Sequence, residues 1–329
     1  MLEALPVAFS FLATYALIPP WMSLAKRLKL TTRDHSRPGK PLMVDSAGVA
    51  VVLGFFASML SYAGLELAGL VQPFRLTPLF ALVSSGLIAA FLGFVFVDKV
   101  KGYRLGLKKW QKPLLLVLAA LPLMALSPAH PVSLPFIGGV DFGLFYSLLL
   151  VPLGVVGASN AYNTFAGYNG LEAGMGAVIF STLGLLLLWQ PPLSIACFSI
   201  AAALMAFLRF NWFPAKALTG DALTYFLGTM LAGVAILGRV EFVAFFLFLP
   251  YVADFAVYLK HFKYRVKRML WRGVARDGLL YPPRMGPIHL IHYPLKWFNG
   301  LREYEAVSIF LAVEVVLAVL AVLVVAPAL

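Results

Sequence analysis

The chain is 329 residues long, 61% hydrophobic and only 12% charged. Soluble domains carry roughly a quarter charged residues, so this composition excludes an ordinary soluble enzyme. The net charge of +12 would suggest nucleic acid in a soluble chain. Here the basic residues interrupt apolar runs and line no single polar surface, which argues against nucleic acid and for the anionic surface of a lipid bilayer.

Apolar runs near the ~20 residues needed to cross a bilayer recur along the whole chain. They predict an all-α polytopic membrane protein of one domain, residues 1–329, with about ten transmembrane helices. The first run, Leu5–Met22, has no basic start, since Glu3 is the only charge before Lys26, and no small-residue cleavage site follows. It is expected to be a retained span and not a secretory leader. Next come Ala47–Leu70, Pro78–Val97 and Pro113–Ser127, the last so short that its helix is expected to begin earlier, near Leu107. Between Pro128 and Asp141 a stretch rich in Pro, Gly, Val and Ile suggests a small β-hairpin. Phe142–Ser159, Glu172–Trp189, Leu193–Phe207, Asp221–Gly238, Val240–Leu259 and Ala306–Val325 complete the set. Cys197, the only cysteine, lies inside the seventh run, which leaves no disulfide framework and no cysteine-based metal site. Glu314, in the tenth run, is costly in lipid unless it is paired or turned to another helix, and it is expected to be structural or interfacial.

Charge tests this count. Loops after the odd-numbered runs hold 24 of the 26 Lys and Arg residues, with only Arg75 and Arg239 on the other side. One missed or invented span would scramble that alternation. By the positive-inside rule the basic loops are expected to be cytoplasmic and both termini outside.

Polar residues are scarce, so the places where they gather are informative. The richest is NAYNTFAGYNGLEAG, Asn160 to Gly174, between the fifth and sixth runs. As plain structure, its asparagines and glycines would cap helices and form turns. As a site, Asn160 and Asn163 share a helix face, and Gly167 and Gly170 let a ligand approach the backbone. Asn amides can ligate a hard cation or read a base edge. The second cluster is RFNWFPAKALTGDALTYFLG, Arg209 to Gly228. Its Asp221 is either an N-cap or a carboxylate suited to Mg2+ at the mouth of the eighth run.

These two clusters resemble the signatures of the polyprenyl-phosphate N-acetylhexosamine-1-phosphate transferases. The asparagine-rich motif, Asn-Trp-Phe-Pro and Gly-Asp are most similar to the archaeal and eukaryotic dolichyl-phosphate branch. Bacterial members usually carry Asp-Gly-x-Asp-Gly-Leu where this chain has Ala166-Gly167-Tyr168-Asn169-Gly170-Leu171. The resemblance covers essentially the whole chain. It implies a Mg2+-dependent enzyme, with Mn2+ as an alternative ion, whose partners are a UDP-N-acetylhexosamine, a polyprenyl or dolichyl phosphate and the lipid bilayer. The implied reaction moves N-acetylhexosamine 1-phosphate, foremost GlcNAc 1-phosphate for N-glycosylation, onto the lipid phosphate and releases UMP. The implied location is the cell membrane, or the endoplasmic reticulum membrane in a eukaryote, and a homodimer is compatible with it.

Carried over by position, the resemblance makes Asn163 and Asp221 the metal ligands and places Asp98 and Lys112 with them as catalytic residues. Asn160, Asn169 and the Gly167 backbone belong to the substrate site, the last two against uracil. Lys112, in WQKPLLL, matches the family lysine on the diphosphate. In RPGKPLMVDSAG, Lys40, Asp45 and Ser46 fall near the nucleotide or the lipid phosphate. In YPPRMGPIHLIHYPLKW, Arg284 would grip a phosphate bidentately, and His289 and His292 would hydrogen-bond phosphate or sugar. The Arg-Met-x-Pro-Ile-His portion of that segment resembles the bacterial translocase of phospho-N-acetylmuramoyl-pentapeptide, which is the runner-up reading. Asp254, near the inner end of the ninth run, is a lesser candidate for lining the site.

One departure matters. The family carries adjacent aspartates after the third run, whereas FVDKVKGYR puts Lys99 after Asp98. A phosphate monoester loses its second proton near pH ~6, so the lipid phosphate is already largely dianionic and a strong base is not essential. The harder task is to bring that dianion to an anionic diphosphate, which cations make easier. Two rivals remain: a transporter or flippase without chemistry, which ten spans would suit, and a weakened scaffold suggested by Lys99. Polar groups crowding one membrane face disfavour alternating access.

Overall fold

The computed structural model describes residues 2–34, 37, 39–71, 76–97, 110–126, 130–134, 137–261 and 272–325. Each of the ten apolar runs is helical there. In chain order they are α1 (Leu5–Arg27), α2 (Val49–Leu67), α3 (Leu76–Leu92, continued by a π-turn Gly93–Val97) and α4 (Gln111–Leu126). Then come α5 (Val151–Phe165, preceded by a π-turn Tyr146–Leu150), α6 (Leu171–Leu186), α7 (Pro191–Asn211) and α8 (Gly220–Gly238). The series ends with α9 (Glu241–Leu247), α10 (Leu249–His261), a short α11 (His292–Trp297) and α12 (Glu303–Val325). Among the described residues seven helices are long and apolar enough to cross a membrane, α9 and α10 make an eighth bent by 65°, and α4 and α6 are shorter apolar helices. The protein is an all-α polytopic membrane protein. Leu107, the expected early start of the fourth helix, lies outside the described residues.

The bend between α9 and α10 has a covalent cause. Pro250 offers no N–H to the carbonyl of Phe246, four residues back, and its ring crowds that oxygen. α8 sits at the centre, with every side chain from Ala222 to Ile236 buried, and α3 and α5 pack along it. Between lipid-embedded helices no hydrophobic force draws backbones together, so small residues set the approach. Gly228 of α8 lies directly against the backbone of Ala158 and Ser159 in α5. Gly93 lies against Asp221 and Ala222, so a side chain there would strike the start of α8. α1, α2 and α7 form a neighbouring group, and α6 lies between α7 and α12.

Among the described residues three antiparallel hairpins decorate this bundle. The expected one between the fourth and fifth helices forms as β3 (Val132–Leu134) on β4 (Gly138–Val140). Two more were not anticipated. β1 (Thr31–Arg33) pairs with β2 (Leu42–Val44) in the first basic loop, and β5 (Val274–Arg276) pairs with β6 (Leu279–Tyr281) in the last. The Asp277-Gly278 turn of the last hairpin has φ of +50° and +78°, the two left-handed residues that a tight two-residue hairpin needs. The first hairpin is sewn to the approach of α8. Val44 exchanges hydrogen bonds with Lys216 and Leu218, and the N–H groups of Ala47 and Gly48 donate to Leu218 and Thr219 at 2.9 and 3.0 Å.

Candidate active site

The α5–α6 junction is a turn that no helix could supply. Ala166 is extended, and Gly167 and Gly170 then take φ of +120° and +86°, where a side chain costs roughly 1–2 kcal/mol. At Gly170 the Trp212 ring bars a side chain as well, lying 2.6 Å from where a Cβ would stand.

Four helices hold this turn by polar side chains. Gly167 N–H donates to Glu172 Oε1 of α6 at 2.6 Å, and Tyr168 Oη meets His292 Nε2 of α11 at 3.3 Å. Asn169 donates its backbone N–H and Nδ2 to Glu303 of α12 at 2.8 and 3.3 Å. Gly170 N–H donates to Asn211 Oδ1 of α7 at 3.2 Å. The same side chains reach the segment that enters α8. Asn211 Nδ2 donates to Ala217 O at 2.9 Å, and Thr219 Oγ1 donates to Glu172 Oε1 at 3.2 Å. Both sequence clusters therefore form one polar unit. Burial, followed by the charges of Asp254 and Glu303, pushes the Tyr168 phenol well above its ordinary range, so it stays neutral.

Asn163 sits one turn before the junction. Its Nδ2 donates to Thr224 Oγ1 at 2.8 Å, and Thr224 Oγ1 donates to the backbone oxygen of Asp221 at 3.2 Å. The pair expected to share an ion is thus linked through one hydroxyl at the start of α8. Asn160 spends its Nδ2 on Val156 O of its own helix at 2.7 Å. Asp45 Oδ1 accepts the Ser46 N–H at 2.9 Å, Ser46 is buried, and Lys40 is exposed at a left-handed φ of +46°. Lys112 is half-buried in the first turn of α4. Asp98 lies outside the described residues.

The last basic loop docks through its two histidines, His289 on α10 and His292 on the junction. Asp254 of α10 accepts from Leu290 N–H at 2.6 Å and from His289 Nδ1 at 3.0 Å. The His289 ring stacks on Tyr258. His292 Nδ1 accepts the Ile288 N–H at 3.2 Å, which leaves Nε2 as its protonated nitrogen facing Tyr168. Both ring nitrogens of His292 are therefore engaged inside the protein. A buried loop has to satisfy its own N–H groups, and these bonds do so. The Gly167 N–H is likewise engaged, on Glu172. Arg284 is exposed in the turn before these histidines.

A model of glycosyl transferase family 4 matches residues 79–239, which include the α5–α6 turn and the start of α8. A Saccharolobus solfataricus protein provisionally named UDP-N-acetylglucosamine–dolichyl-phosphate N-acetylglucosaminephosphotransferase is 31% identical, over 97% of this chain and 95% of its own length. The chain belongs to glycosyl transferase family 4. A Sulfolobus acidocaldarius protein with the same provisional name is 29% identical over 97% of this chain and 94% of its own. A Halalkalibacterium halodurans phospho-N-acetylmuramoyl-pentapeptide-transferase is 30% identical over 97% and 96%.

The residues of this family 4 chain fit a hard divalent cation. Asn163 commits its nitrogen to Thr224, so Oδ1 is the atom it can offer, and Asp221 adds a carboxylate. Among the described residues no group of three or more His, Cys, Asp or Glu side chains could cage a metal. A Mg2+ site needs no such cage, because it uses one or two carboxylates with substrate phosphates and water. Sequence reasoning missed Glu303, Asn211 and Arg272, and gave no role to Glu172. The Arg272 guanidinium lies over Gly167, 3.0 Å from the place of a Cβ. Nothing in local spacing marks these partners, which stand 134 and 41 residues from the groups they hold in two of the cases.

Proposed function

We propose that the chain transfers N-acetylglucosamine 1-phosphate from UDP-N-acetylglucosamine to a dolichyl or related polyprenyl phosphate and releases UMP. A lipid-phosphate oxygen attacks the sugar-bound β-phosphorus. The bond from that phosphorus to the oxygen bridging it to the α-phosphate breaks, and UMP departs with the electron pair. The single observation that carries the proposal is the link from Asn163, in the last turn of α5, to the start of α8 through Thr224 and the Asp221 backbone. It supports a reading in which the Asn163 amide oxygen and the Asp221 carboxylate serve one ion beside the α5–α6 turn.

Asn163 and Asp221 hold Mg2+, with Mn2+ as a substitute, and the ion when bound neutralises charge on the diphosphate. Lys112 and Arg284 add positive field around the two anions. The acceptor already carries its attacking charge, so no protein base is required of Asp98. In this reading the site faces the cytoplasm, which the gathering of Lys and Arg in the loops on its side supports by the positive-inside rule. The acceptor's chain stays in the bilayer while its phosphate meets the nucleotide sugar at the boundary.

Purified protein should release UMP from UDP-N-acetylglucosamine only when lipid phosphate and Mg2+ are both present. Preference for a UDP-muramoyl-peptide donor in the same panel would replace the proposal with the cell-wall version. Release of no UMP from any donor would leave a transporter.

A further inference from the structure

Glu303 decides which end of the Asn169 amide faces the site. Its Oε1 takes the Asn169 N–H at 2.8 Å and its Oε2 takes Nδ2 at 3.3 Å, and both residues are buried. An ionised carboxylate only accepts, so reversing the amide would set oxygen against oxygen. The orientation is thereby fixed, with Oδ1 turned away from Glu303. That oxygen accepts no hydrogen bond among the described residues and is not one of the fully enclosed unpaired side-chain atoms.

We propose that Glu303 is a specificity-determining positioning residue: it fixes Asn169 as a hydrogen-bond acceptor and so selects uridine over cytidine nucleotides. The assignment rests on the nucleotide reading of the α5–α6 turn. Uracil carries a proton at N3 and can donate to Oδ1, whereas N3 of cytosine is a lone pair. Acceptor against acceptor leaves both groups desolvated and unpaired, which is how a buried polar site rejects a near-isostere. A carboxylate at position 169 would accept in either orientation. An amide there needs a partner to hold it, and Glu303 supplies one.

Calorimetric binding of UMP and CMP to the full-length purified protein tests this. Wild type should prefer UMP by at least about 100-fold. Glu303→Gln, whose own amide can present either end, should cut that preference by about tenfold or more, with CMP binding improved in absolute terms. The double variant Glu303→Gln with Asn169→Asp should restore the preference to within about threefold, because the new carboxylate accepts in both orientations and the glutamine donates to it. A purely structural role would weaken both nucleotides alike and would not be rescued. An unchanged preference in Glu303→Gln overturns the proposal. So does a double variant that binds UMP and CMP equally, which keeps the test open if the single variant does not fold. Wild type that binds neither nucleotide sinks the nucleotide reading itself, whereas equal binding of the two sinks only the role of Glu303.

Discussion

Two groups of buried polar side chains lie at opposite ends of α8, roughly 28 Å apart for its 19 residues. Past its end, His130 Nε2 and Tyr146 Oη both bind Glu241 Oε1, at 2.8 and 2.5 Å, and the His130 ring meets Tyr146 edge-on. This group ties the β3–β4 hairpin to α9 through one shared carboxylate oxygen. At the start of α8, Asn163 and Asn169 each give their amide nitrogen to a neighbour and keep Oδ1 in hand. A cluster that closes on itself stabilises the fold. One that commits its donors and withholds its acceptors is ready for a cation or for an N–H group.

The largest expected effects separate the two ends. Asp221→Ala should lower UMP release by more than about 100-fold, beyond the loss typical of outer-shell partners of a metal. Glu241→Gln should leave that release within about twofold while costing about 1–3 kcal/mol of stability, read as a lower thermal unfolding midpoint. If the two variants exchanged these phenotypes, the contrast between the ends would fail. An intermediate effect is expected at Glu172, whose Oε1 serves both Gly167 and Thr219. Glu172→Gln should raise the KM for the UDP-sugar about tenfold and spare kcat, because the turn loosens while the ion site stays.

The smallest effect belongs to Tyr168. Tyr168→Phe removes one bond to His292 and should cost about 1 kcal/mol. Burial holds the phenol above its ordinary range, so below about pH 10 it is protonated both folded and unfolded and adds no pH dependence. Above that pH the unfolded wild type ionises first, and its stability advantage over the variant should shrink as pH rises. Denaturant unfolding of both proteins across that range reads the difference.

Much of the fold was legible because lipid allows few solutions. Runs such as Asp221–Gly238 and Leu193–Phe207 could only be helices, and helices they are. The glycine turn was legible through its composition, since Gly167 and Gly170 stand where left-handed backbone is needed. What holds the turn was not legible. Glu303, Asn211 and Asp254 sit in other helices, and only packing brings them to Asn169, Gly170 and His289. The internal partners of His289 and His292 were hidden for the same reason: they lie on α10 and in the α5–α6 turn, far from these histidines in sequence. The β1–β2 hairpin was missed because it gains its place by pairing with residues 216–219, far along the chain.

Sharing of one divalent ion by Asn163 and Asp221 is most directly tested by electron paramagnetic resonance of Mn2+ titrated into the purified protein with UMP present. Expected is a bound-ion signal in wild type that is lost in both Asn163→Ala and Asp221→Ala, each still folded. Mn2+ bound with wild-type affinity in both variants would contradict the shared site.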